Sequence, residues 1–198
     1  MNTPSHWLMT IAAGKLHPGA KNSPRWALAL GSVAPDLPLY FLSFGGIYYF
    51  RNMLGWENER VFKHIFSDLY FNDPIWIGLH NFLHSPLMIL ILLGLAVMIK
   101  HCRQRLGRWL CFFLSACMLH SIVDVLTHHD DGPVLLFPIN WQYRFSSPVS
   151  YWDRAHFGGQ FMVFEVLLDA LIFGFIIWDW RTKSDATKDP RNEIEPPP

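Results

Sequence analysis

The stretch 74–99 carries no Asp, Glu, Lys or Arg. Three other stretches are nearly as bare. Residues 26–50 hold only Asp36, 109–127 only Asp124, and 155–178 only Glu165 and Asp169. Each is close to the roughly 20 apolar residues that a helix needs to cross a hydrocarbon core. A soluble surface helix would show a charged face at every second turn. The chain is therefore expected to be all-α, an integral-membrane helical bundle of four to five spans. The alternative is a soluble all-helical protein with a very apolar core. The expected membrane domain covers 1–180, with outer loops 51–73 and 128–155, and 181–198 reads as a disordered polar tail.

Charge sets the orientation and excludes some functions. The 198 residues carry 16 Lys+Arg against 16 Asp+Glu. A net charge of zero argues against a nucleic-acid partner and leaves membrane lipids as the expected surroundings. Lys15, Lys21 and Arg25 flank one turn, Lys100, Arg103, Arg105 and Arg108 fill another, and Arg181 and Lys183 follow the last span. These three basic clusters are expected inside the cell. A reporter fused after Gln104 should map to the cytoplasm and one fused after Gln142 to the outside; the opposite pair of results would overturn this topology. The N-terminus lacks the basic and apolar regions of a signal peptide, so none is expected. The cysteines, Cys102, Cys111 and Cys117, form no C-x-x-C pair, which argues against a thiolate zinc site.

The ten histidines carry the functional signal. His120 and Asp124 stand four apart, which puts an imidazole and a carboxylate on one helix face. Such a pair can clasp a divalent ion. His80 and His84 repeat the spacing. An ionisable group within a span is costly and usually faces a site. The alternative for any one His is a simple hydrogen bond in the core.

Depth also matches. About a turn centred on Arg103, His84 lies 19 residues before (103 − 84), His120 17 after (120 − 103) and Asp124 21 after (124 − 103). About a turn centred on Lys21, His6 and Asp36 lie 15 residues to either side (21 − 6 and 36 − 21). In antiparallel hairpins these residues meet at one level. Asp36 sits between Pro35 and Pro38, where the helix must break and free carbonyls. Beyond the His120 helix, His128 lies one turn past Asp124. Asp153 and His156, three apart, precede the last span, and Glu165 lies two turns inside it. Asp153, His156 and Glu165 are expected to fold over the same site, Asp153 and Glu165 as catalytic carboxylates. The other reading of Asp153 is a helix N-cap. Tyr151 and Trp152 are expected as interface anchors.

Nucleotide loops, the G-x-S-x-G elbow and the H-E-x-x-H pattern are absent from the sequence. What is present is an ordered set: His6, Pro35-Asp36, H-x-x-x-H-S (80–85), H-x-x-x-D-x-L-T-x-H (120–129) and L-F-P (136–138). This order resembles the bacterial membrane-bound metal-dependent hydrolases, small multi-span proteins similar in pattern to zinc-dependent phospholipase C. The stretches T-P-S-H, S-S-P-V-S-Y-W-D and H-F-G-G are similar to a bacterial subgroup of which some carry a cobalamin-biosynthesis label. This chain has neither the nucleotide loop nor the amidotransferase cysteine motif of that activity. The resemblance implies a multi-pass protein of the bacterial inner membrane. It also implies a divalent ion, Zn²⁺ by expectation, held by His6, Asp36, His84, His120 and Asp124; the spacing of the residues adds His128 and His156 as further candidates. The activity implied is hydrolysis of a phosphoester or another amphiphilic substrate at the membrane boundary. The other class is a non-catalytic membrane protein that binds or passes a metal ion or proton. The family's H-R-G-x-T-H-S appears here as H-N-F-L-H-S, without the Arg and Thr.

Overall fold

The computed structural model describes residues 1–16 and 24–188. Those residues are all-α, with one isolated β-bridge between Val134 and Arg144. The turn centred on Lys21 lies outside them, as does 189–198.

Two helices are long and apolar enough to cross a membrane unaided: α8 (Gln104–Thr127) and the first 26 residues of α9 (Gly158–Lys188). Two more spans are each built from a bent pair. α2 (Arg25–Val33) meets α3 (Leu37–Ile47) and its π-helical extension at 44°, and α6 (Pro74–Asn81) meets α7 (Pro86–Cys102) at 50°. Proline causes both bends. Pro35 and Pro38 bracket the first break, and Pro86 restarts the helix after the second. The total is thus two to four spans. α1 (Thr3–Leu16) has 14 residues, too few for a fifth span.

α7 and α8 form the hairpin expected around Arg103, which caps both helices. Ile89, Ala96, Leu114 and Cys117 are buried between them. α2 packs closely against α8. A Cβ on Gly31 would stand 2.2 Å from the Phe113 carbonyl oxygen and 2.9 Å from the Ala116 Cβ. Small residues let helix backbones meet in lipid, where apolar burial drives no association.

α1 runs parallel to α9, tied by polar rungs at a constant offset. Asn2 donates to Glu165 through its backbone N (2.7 Å) and its amide (2.8 Å), Ser5 donates to Asp169 (2.7 Å), and Lys15 donates to Asp179 (2.5 Å). The outward segment expected as loop 51–73 is mostly helical: α4 (Asn58–Lys63), a π-helical stretch (His64–Leu69) and α5 (Tyr70–Asn72). Val61 and Ile65 pack there against Trp76. The segment 128–155 is irregular apart from the start of a short turn at Arg154–His156. α9 runs on as helix to Lys188, past the boundary expected at 180.

Candidate metal centre

Both broken spans break at the same place in the bundle, against the unbroken α8. The first break presents Asp36 and the second presents His84, while α8 presents His120 and Asp124. One ligand atom from each of these four residues lies within 4.8 Å of the other three. His84 Nε2 is 2.9 Å from Asp124 Oδ2, and His120 Nε2 is 3.2 Å from the same oxygen and 3.3 Å from Asp36 Oδ1. Four ligand atoms set tetrahedrally at about 2.0–2.1 Å from Zn²⁺ stand about 3.3 Å apart, so the spacing fits such an ion.

The freed backbone orients the ligands. Ser32 O would pair with Asp36 N in an unbroken helix, but Asp36 N turns to Val33 O (3.2 Å). Ser32 O instead accepts a 2.8 Å bond from His120 Nδ1. The proton is therefore on Nδ1, and the Nε2 lone pair faces the two carboxylates. That Nε2 is buried and has no hydrogen-bond partner. The second break supplies His84 O, which accepts from the Ser121 hydroxyl. Both breaks are thus buried against protein, as irregular backbone at membrane depth must be.

One buried ring nitrogen is unpartnered on each of four histidines: Nε2 of His120, which faces the carboxylates, and Nδ1 of His6, His80 and His84, which on His6 and His84 is not the nitrogen turned towards Asp124. His6 joins from α1. Its Nε2 is 2.9 Å from Asp124 Oδ1, and its ring stacks on His120 at 3.7 Å. The same Oδ1 accepts from the Met1 nitrogen at 2.8 Å. Asp124 thus faces Asp36, His84 and His120 with one oxygen and His6 with the other. His128 Nδ1 donates to the Asp124 carbonyl (2.9 Å) and stands 3.7 Å from its carboxylate. Burial pushes the His128 pKa down, which keeps its Nε2 as a free lone pair.

The other expected members take different places. Glu165 is buried, but Asn2 occupies both of its oxygens, so it fixes α1 against α9 rather than acting at the centre. Asp153 caps the turn at Arg154–His156 by accepting from Ala155 N (2.9 Å) and from His156 Nδ1 (2.7 Å). The bonded His156 ring holds the Asp153 carboxyl below the usual range. His156 stacks on His129 at 3.5 Å. The bonds of Asp153 and His156 stay within their own loop, so the N-cap reading describes them and the catalytic one does not. D-R-A-H spells a cap and a ligand pair equally well.

The centre opens into a cavity of about 600 Å³. Asp36, His84 and Asp124 form part of its polar wall, and Leu39, Phe66 and Phe71 form an apolar one. Tyr151 and Trp152, expected as interface anchors, line it as well. His80 lines it too, and the i, i+4 spacing to His84 was the signal for it. Its Nε2 is 3.4 Å from the Tyr70 hydroxyl, which itself donates to Asp131 O at 2.6 Å. Asp131 also accepts from Trp152 Nε1 (2.8 Å), a contact that no sequence spacing announces.

The YdjM inner membrane protein family matches the chain over residues 1–184. The chain belongs to that family. It is thus a multi-pass inner-membrane protein, and the YdjM match covers every residue of the centre. No curated protein and no solved structure matches the chain.

Proposed function

We propose that this YdjM-family protein is an integral-membrane metal-dependent hydrolase acting on a phosphoester or lipid-like substrate. One observation carries the reading: three of the four convergent ligand residues, Asp36, His84 and Asp124, lie at the wall of a cavity, with His120 buried behind them. A structural ion is fully enclosed by protein, whereas a catalytic one keeps an open position. A divalent ion, Zn²⁺ by preference for this N/O donor set, would supply polarisation of a phosphoryl or acyl oxygen and a water acidified towards about pH 7.

The chain's own residues do the rest. Asp36, His84, His120 and Asp124 hold the ion. Ser32 O aims His120, and His6 and the Met1 nitrogen brace the far oxygen of Asp124. Leu39, Phe66 and Phe71 give an apolar substituent a place beside the polar wall, which suits an amphiphile better than a sugar or a peptide. A transporter would instead string its ligands along a path. Among the described residues one such group of ligands occurs, at one level.

The test is made on protein purified in neutral detergent. Elemental analysis should find about one divalent ion per chain. A fluorogenic short-chain phospholipid should be hydrolysed, and that activity should vanish in EDTA and in His84→Ala. A stoichiometric ion without hydrolysis of phosphodiester, phosphomonoester or acyl-ester probes would favour the binding or transport class. Absence of any bound ion would remove both readings.

A further inference from the structure

At the opposite end of the α7–α8 hairpin lies a second hollow, also of about 600 Å³, lined by Val97, Lys100, Gln104, Arg105 and Arg108. Gly107 builds it. A Cβ there would stand 2.3 Å from Lys100 N, so the start of α8 rests directly on the end of α7. Arg105 and Arg108 are thereby brought around Lys100. The positive-inside rule accounts for cations at this end of the protein. It does not account for their convergence on one hollow, nor for the absence of counter-charges there among the described residues.

No Asp or Glu occurs between Asp73 and Asp124, so the one carboxylate on these two helices, Asp124, lies at the far end of α8 from the hollow. Among the described residues the lysine and arginine ion pairs are Lys15–Asp179 and Lys183–Asp179, both on other helices. The hollow therefore holds three cations that nothing in the described protein neutralises. Its apolar border continues along α7. Val97 and Met98 are 48% and 67% exposed. One turn further, a Cβ on Gly94 would meet nothing within 4 Å, and beyond it Leu90 and Ile91 are again exposed. The missing side chain leaves a notch on the outer face of α7, leading away from the cations towards the middle of the span.

A basic pocket at the end of a span, continuous with an apolar notch, has the form of an anionic headgroup with its chains attached. We propose that the Lys100–Arg105–Arg108 hollow binds the phosphate of an anionic phospholipid, whose acyl chain lies along the Gly94 notch. The site is separate from the metal centre and does not depend on its chemistry.

The test uses the full chain in neutral detergent, with phosphatidylglycerol and phosphatidylcholine as probes and native mass spectrometry as the readout. The wild type should retain phosphatidylglycerol over phosphatidylcholine by on the order of a hundredfold, since each cation contributes about fivefold. Lys100→Gln/Arg105→Gln/Arg108→Gln should abolish that preference with metal content unchanged. Arg25→Gln/Arg51→Gln/Arg181→Gln, which removes the same charge elsewhere, should keep it. Gly94→Leu, which fills the notch and leaves every cation, should weaken retention. The proposal is overturned by any of four results: no preference in the wild type, preference kept in the first triple variant, equal loss in the second, or retention unchanged by Gly94→Leu. Displacement of the lipid by millimolar inorganic phosphate would likewise assign the hollow to a soluble anion.

Discussion

Asp124→Asn is expected to strip the protein of its divalent ion and to lower its thermal stability at the same time. The carboxylate is buried, and its two oxygens face the Met1 nitrogen and the imidazoles of His6, His84 and His120 at 2.8–3.2 Å. An amide has nearly the same shape but carries no charge, and an N–H group takes the place of one of those oxygens. Breaking a buried network of this kind costs about 3–5 kcal/mol. Loss of a ligand weakens metal affinity beyond the roughly 10–100-fold that loss of a ligand's supporting contact would. His120→Ala should also lose the ion, while leaving the protein inserted and accumulating. Asp153→Ala and His156→Ala, whose bonds stay in their own loop, should keep it. Elemental analysis and melting in detergent read both quantities. Stoichiometric metal in both Asp124→Asn and His120→Ala would sink the assignment.

Gly31→Val is the second change with a large expected effect, and it touches no ligand. A Cβ on Gly31 would meet a backbone oxygen on α8 at 2.2 Å, and backbone cannot rotate away as a side chain can. α2 must therefore retreat from α8. Overpacking of this kind costs about 3 kcal/mol, equivalent to a fall of about 6–12 °C in melting temperature for a chain of this size. The retreat also carries away the neighbouring Ser32 carbonyl that aims His120. Metal binding should fall together with stability. Gly45→Ala, where a Cβ meets nothing within 4 Å, should change neither. A Gly31→Val protein with wild-type melting and wild-type metal would show that the two helices are not in contact.

The parts of the centre that were readable in the sequence are those fixed by a period. His120 and Asp124 share a face because a helix repeats every 3.6 residues. His84 could be placed opposite them by counting from Arg103, because α7 and α8 form a tight antiparallel hairpin with that residue as its corner. Asp36 could be placed because proline forces a break wherever it falls inside a span. The rest follows no period. Ser32 O is backbone, and its availability depends on where Asp36 N turns. The segment 128–155 is irregular, so nearness along the chain said little about nearness in space. Asp153 and His156 therefore stay in their own loop, while Asp131 and Trp152 reach the cavity. Glu165 sits at a depth that counting could give, but its partner Asn2 stands just before a helix too short to read as a span.

The rungs that join α1 to α9 bear on how the protein is made. Only 6% of the apolar stretch of α9 is buried inside the protein, so this helix can settle in the bilayer by itself. α1 cannot, because it is too short to span. Its polar partners Glu165, Asp169 and Asp179 all lie in α9, which is made long after α1. His6 therefore takes its place beside Asp124 only after α9 has been made. The histidine that braces Asp124 waits for α9, and until then the half-built centre has one side open.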